Sequence, residues 1–262
     1  MSVSYSQEGM VVWLRLNRPA ALNALSREML RELKAGVAAA QADPGVRVVV
    51  LTGSGQAFCA GGDIKELLAD VARPQGAGDD APDYLDIVTE AFTALRGLTK
   101  PLIACVNGVA MGGGLELMLC SDLVVAADSA RIGDGHANFC IFPGGGSAAL
   151  LPRFLPPSLA KWLLFTGETL PAAEWKHYGL VNEVVPAELL EAAASRLAGQ
   201  LAQKSPVLLE RLKRLSNHSA DMTMAEALQS ELGELRAHTH SRDMYEGLTA
   251  FVEKRAPQYT GQ

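Results

Sequence analysis

The chain has 262 residues, enough for one large domain or one domain with an appendage. Hydrophobic residues make up 48% and charged residues 20%, and a net charge of -6 with no run of Lys or Arg excludes nucleic acid or an anionic membrane surface as the main partner. Cys59, Cys105, Cys120 and Cys140 form no CxxC pair and have no histidine close by at ligand spacing; with no leader-like N-terminus and no run of ~18 apolar residues, this points to a soluble cytoplasmic protein without disulfides, metal or membrane span.

Val11 to Leu16 alternates around β-formers and is expected to be a strand. Ser26 is placed to cap a helix through about Ala40, with Met29, Leu30, Leu33 and Val37 on one face. The β-branched run Val46 to Thr52, bounded by Pro44-Gly45 and Gly53, reads as a buried strand. Asp63 and Glu66 have the spacing of a capping pair at the start of the next helix. Residues 73–82 lack an apolar period and read as a mobile surface loop. A helix is expected from Tyr84 to Leu98, and a strand from Leu102 to Val106. A short apolar helix opens at Gly112-Gly113-Gly114 and ends near Cys120, before a buried strand from Leu123 to Ala126. Gly144-Gly145-Gly146-Ser147 opens another helix. The repeated order of strand, glycine turn and helix indicates an α/β chain. Beyond about Pro186 the pattern is helical, with long amphipathic stretches at 187–216 and 222–254. A boundary near residue 200 therefore divides a core, 1–200, from a helical region, 201–262.

Two glycine-rich segments carry the chemistry, because each sits where a strand gives way to a helix. They are Ala57 to Lys65 (AFCAGGDIK) and Val106 to Glu116 (VNGVAMGGGLE). A helix N-terminus leaves backbone N–H groups unpaired and carries a partial positive charge. Two such ends converging on one point suit a developing oxyanion, and glycine lets a substrate approach the backbone closely. Either segment alone is equally consistent with a tight packing turn.

Together, FCAGGDIKEL and VNGVAMGGGLELMLCSD resemble the two signature segments of the crotonase (enoyl-CoA hydratase/isomerase) superfamily. LNRPAALNAL at residues 16–25, FTGETLPAAEWKHYGLVNEVVP at 165–186 and GLTAFVEKRAP near the C-terminus extend the resemblance over almost the whole chain. The resemblance implies a spiral core of repeated ββα units with a C-terminal helical oligomerisation region, assembled as a homotrimer or as a hexamer of paired trimers. It implies an acyl-CoA substrate, with coenzyme A as part of the thioester and no tightly bound cofactor. By position, the oxyanion donors fall on the N–H groups of Gly62 and Gly113. Ala60, Lys65, Phe251 and Lys254 fall on CoA contacts. For the two lysines the alternative is a solvated surface cation.

Glu116 lies in the otherwise apolar run Leu115 to Cys120, one turn beyond Gly113. A carboxylate there is costly to bury without partners, and such groups in clefts serve general acid–base chemistry. The alternative is a structural carboxylate capping a neighbouring backbone group. In the resembled family this position carries one of the two glutamates of a hydratase. Counting without gaps from Gly113 to Pro143-Gly144, the second glutamate position is occupied by His136. An imidazole near neutral pH can act as acid or base, or can simply fill the pocket wall. With Glu116 it could hydrate a conjugated double bond, shift one, or activate water in C–C hydrolysis; decarboxylation and non-catalytic acyl-CoA binding stay open as well. Asp134 reads as a surface aspartate that has the spacing to orient the imidazole.

Overall fold

The first two strands lie side by side, β1 (Val3–Glu8) antiparallel to β2 (Val11–Leu16). The structure is a computed structural model that describes residues 1–72 and 82–262. The surface loop expected over residues 73–82 lies outside the described residues except for Pro82. In chain order there follow α1 (Arg27–Ala42), β3 (Val48–Gly53), β4 (Ala57–Cys59), α2 (Ile64–Val71), α3 (Tyr84–Gly97), β5 (Leu102–Val106), β6 (Val109–Met111), α4 (Gly113–Leu119), β7 (Leu123–Ala127) and β8 (Arg131–Gly133). The chain continues through α5 (Ser147–Phe154), α6 (Pro157–Thr166), β9 (Thr169–Pro171), α7 (Ala172–His177), β10 (Glu183–Val185), α8 (Leu190–Ala202), α9 (Pro206–Ser219), α10 (Met224–His238) and α11 (Arg242–Glu253).

Two sheets organise these elements. The larger has the order β1-β2-β3-β5-β7-β10, parallel from β2 onward. The smaller has the order β4-β6-β8-β9, parallel across its first three strands. Each long strand β3, β5 and β7 is thus followed by a three-residue strand that crosses into the second sheet, and β4 and β6 lead directly into α2 and α4. This is the spiral of ββα turns that the resemblance implies. β3 and β5 are buried along their whole length and β7 from its second residue on, which explains why they read as unbroken apolar runs rather than alternating ones.

Local chemistry sets the element ends. Ser26 caps α1 by accepting from Met29 N–H, and Met29, Leu30, Leu33 and Val37 are buried as the helical period requires. The strand expected at Val46 starts two residues later, because Val46 N–H closes a turn onto Asp43 O at 3.1 Å. Asp63 caps α2 through Lys65 N–H, but Glu66 does not close the expected pair: its carboxylate accepts from Arg27 N–H at 2.7 Å instead. The two long C-terminal stretches are each broken in two. Ser205 accepts from Leu208 N–H ahead of Pro206, whose missing N–H suits a first helical position. Ser241 accepts from Met244 N–H to begin α11. β1 escaped sequence reading because only its first residue is buried, leaving no apolar period. Residue 200 lies inside α8, which packs on β3, β5 and β7.

Candidate active site

Three turns meet at one edge of the small sheet. Gly61-Gly62 follows β4, Gly112-Gly113 follows β6, and Asp134-Gly135-His136 follows β8. Since these strands are parallel neighbours, their C-terminal ends line up, and residues tens of positions apart in sequence become adjacent. A cavity of about 190 Å³ opens over this edge, lined by all three turns and by Glu116.

The first two turns present backbone N–H groups. Leu25 N donates to Gly61 O at 2.8 Å and Leu25 O accepts from Asp63 N at 3.1 Å, so Gly62 N–H is directed away from that bridge. Gly113 is the first residue of α4, and its N–H has no acceptor within the helix. The two turns abut: a Cβ placed on Gly61 would lie 3.7 Å from Gly113 N and 3.1 Å from Met111 O, and Gly61 holds a φ of +110°. Gly112, at φ +54°, packs its Cα against the third turn; a Cβ there would lie 3.1 Å from Asp134 O and 3.5 Å from both Cε1 and Nε2 of His136. Tyr84 braces the first turn, its hydroxyl donating to Leu25 O at 2.6 Å and accepting from Asp63 N–H at 3.1 Å. Arg18 holds Asp63 from the other side through two contacts of 3.1 Å.

Glu116 holds neighbouring backbone groups and also lines the cavity. Its side chain is almost wholly buried, and Oε1 accepts from Gly145 N–H at 2.8 Å and Ser147 N–H at 3.1 Å. That oxygen ties α4 to the start of α5 and offsets the cost of burial. Oε2 lies 3.9 Å from His136 Nε2, too far for a direct hydrogen bond and close enough for one shared oxygen atom between them. On its other side, His136 Nδ1 is 2.9 Å from Asp134 Oδ2, and Asp134 Oδ1 accepts from His136 N–H at 3.2 Å. Burial disfavours the imidazolium, but the hydrogen bond to Asp134 and the charges of Asp134 and Glu116 outweigh it, leaving the His136 pKa above the ordinary imidazole value. Cys59, buried behind the first turn, is no nucleophile, because burial pushes its thiol up to about 12.

The model of the family described as enoyl-CoA hydratase/isomerase matches residues 6–262 of the chain. The chain belongs to the enoyl-CoA hydratase/isomerase family. A crotonyl-CoA hydratase of Syntrophomonas wolfei is 35% identical, with 98% of this chain and 97% of that protein covered. A 2,3-dehydroadipyl-CoA hydratase of Escherichia coli is also 35% identical over 98% of both. Among solved structures, an enoyl-CoA hydratase from Bacillus anthracis superposes with a TM-score of 0.91 at 35% identity over 100% of both chains. One from Polaromonas sp. JS666 gives 0.92 at 34% identity, over 98% of this chain and 99% of that one.

Within this family member, Gly62, Gly113, Glu116, His136 and Ala60 all line one cavity. Lys65 is exposed on the first turn of α2, beside the cavity-lining Ile64. Phe251 and Lys254 are not brought to the cavity; Phe251 is 84% exposed near the end of α11. The start of that helix is tied elsewhere, since buried Asp243 accepts from Ser205 Oγ at 2.6 Å and from Thr260 N–H at 2.7 Å. Phe139 and Phe142 also line the cavity. The surface reading of Asp134 is overturned: the residue is fully buried and bonded to the imidazole. Its signal was available, as Gly133-Asp134-Gly135 is a third glycine turn after a strand. Tyr84 had no such signal, because nothing in its spacing links it to Leu25 or Asp63.

Proposed function

We propose that the protein is an enoyl-CoA hydratase, with Glu116 and His136 as its catalytic pair and the N–H groups of Gly62 and Gly113 as its oxyanion hole. The observation that carries this is the 3.9 Å separation of Glu116 Oε2 and His136 Nε2 on the wall of a largely apolar cavity, beside two abutting N–H-bearing turns. The thioester oxygen accepts from both N–H groups, which draws electrons from the conjugated double bond. A water held between the pair loses a proton to Glu116 as its oxygen bonds to C3. The resulting enolate takes a proton at C2 from the Nε2–H of His136, whose ring packs against Gly112 next to the donor turn. A proton passed from Glu116 to His136 across the same gap resets the site.

Ala60 and Lys65 flank the cavity on the side we assign to CoA, with Lys65 as a phosphate partner. Phe251 and Lys254 would contact a CoA bound by a neighbouring copy, since they lie off the cavity of their own chain. A homotrimer, single or paired, is supported by the exposed stripe Met224, Leu228, Leu232 and Leu235 on α10, spaced as one helical face. Residues 1–200 then form the acyl-CoA-binding core and 201–262 the assembly region. No helix among the described residues is long and apolar enough to cross a membrane, and the four free thiols suit a reducing cytosol.

The deciding experiment is turnover against a panel of 2-enoyl-CoA and 3-enoyl-CoA thioesters, with products identified by mass. Gain of one water by the 2-enoyl substrates supports the reading, while double-bond migration alone or release of free acid defeats it. Glu116→Gln should lower hydration by about 10³-fold with KM little changed, because the amide keeps the shape but accepts no proton.

A further inference from the structure

Beyond the Glu116–His136 pair, the third turn contains a carboxylate with an unusual setting. Asp134 is fully buried, sits at the end of β8 between Gly133 and Gly135, and spends both oxygens on one neighbour. Oδ1 accepts from the His136 backbone N–H, which any residue with an oxygen at that position could do. Oδ2 accepts at Nδ1 of the ring, so the one carboxylate holds the side chain of His136 as well as its backbone. With Nδ1 held, the ring plane is fixed and Nε2 is the atom left facing Glu116 Oε2 and the cavity. The ring also lies beside Gly112, where an added Cβ would make ordinary van der Waals contact with Cε1 and Nε2 at 3.5 Å, so the hydrogen bond from Asp134 is what holds the ring in place.

We propose that Asp134 is a positioning residue that acts through His136, fixing its ring and its charge, and that positions 134 and 136 form one coupled unit. This rests on the hydratase reading above and deepens it. The groups facing the imidazole are Asp134 on its own turn and Glu116 from α4; α6, which packs on residues 136–139, contributes only Lys161, and that residue is exposed. Two acidic neighbours and, among the described residues, no basic one favour the imidazolium, the form needed to protonate the enolate. The same pair would oppose a third carboxylate. A glutamate at 136 beside buried Asp134 and Glu116 would place three acids around one gap, so the residue found at this position in the two-glutamate pattern cannot be introduced here alone.

The test has two arms. In the first, the wild-type protein and Asp134→Asn are labelled with ¹⁵N-histidine, and the ring of His136 (assigned by its loss in His136→Gln) is titrated by NMR. The expected result is a proton kept on Nδ1 of the neutral wild-type ring, and an imidazole that titrates at lower pH in Asp134→Asn. A neutral wild-type ring protonated on Nε2, or the same titration in both proteins, would overturn the assignment of Asp134 whether or not the protein is a hydratase. The wild-type measurement alone decides if the variant does not fold. In the second arm, hydration is followed against pH. Because the acid form of His136 is required, the rate should fall as pH rises through its raised pKa, and Asp134→Asn should move that limb to lower pH and cost about 10²-fold or more in kcat. His136→Glu should be poorly active, and Asp134→Asn/His136→Glu should exceed it by at least about tenfold, a coupling between neighbours that independent sites do not show. Additive effects of the two substitutions, or an unmoved limb, would overturn the coupling; failure of wild type to hydrate any enoyl-CoA would overturn the hydratase reading, and the NMR arm would still judge Asp134.

Discussion

The two sheets use the same chain for opposite ends. In the large sheet, β3 and β5 are buried at every residue, and the helices α1, α3 and α8 close over an apolar core. In the small sheet, β4, β6 and β8 are three residues long and end in turns rich in glycine, where polar groups are gathered rather than excluded. Burial on the large sheet is non-directional, so any well-packed side chain of the right volume serves. At the edge of the small sheet the cavity is lined by glycine turns, one histidine and two carboxylates, the side chains held by specific hydrogen bonds. The apolar core and the cavity edge are thus separated by a few residues of sequence, at each crossing from a long strand to a short one.

That separation can be broken from either side. Leu51→Ala, at a fully buried position of β3, should destabilise the fold by about 3 kcal/mol in denaturant unfolding, while the folded fraction keeps its kcat. A loss of kcat in folded Leu51→Ala would show that the two regions are not independent. Gly113→Pro should do the converse. It removes one N–H at the first position of α4, which suits proline in a helix although a Cβ there meets Leu25 Cδ1 at 3.0 Å, and should lower turnover by about 10²-fold (~2.7 kcal/mol) in a protein shown by circular dichroism to be folded. Unchanged turnover in a folded variant would remove Gly113 from the oxyanion hole. The smallest effect is expected at the rim: Lys65→Ala should raise KM for an acyl-CoA by about 2- to 5-fold with kcat intact, as for an exposed charge pair. An unaltered KM would assign Lys65 to bulk solvent.

The sequence by itself determined the class of fold, the long strands, the capping of α1 by Ser26, the two glycine turns and Glu116, because each is set by local pattern: an apolar period, a cap residue, a charge in an apolar helix. It also marked His136, through a gapless count along a resembled segment. The tertiary structure decided what those groups touch. Only the parallel order β4-β6-β8 brings Gly62, Gly113 and His136 to one edge. Only the approach of the Gly144–Ser147 turn gives Glu116 Oε1 its two donors and leaves Oε2 for the cavity. Asp134 turned from a presumed surface residue into a buried partner because Met111 of β6 and Gly112 after it pack on its turn, which a count along the chain cannot see. The role of Tyr84 was missed and that of Glu66 misassigned for the same reason: their partners, Leu25 and Arg27, lie 59 and 39 residues away. Periodicity and capping act within a few residues and are written in the chain, whereas burial and hydrogen-bond partnership depend on which strands become neighbours.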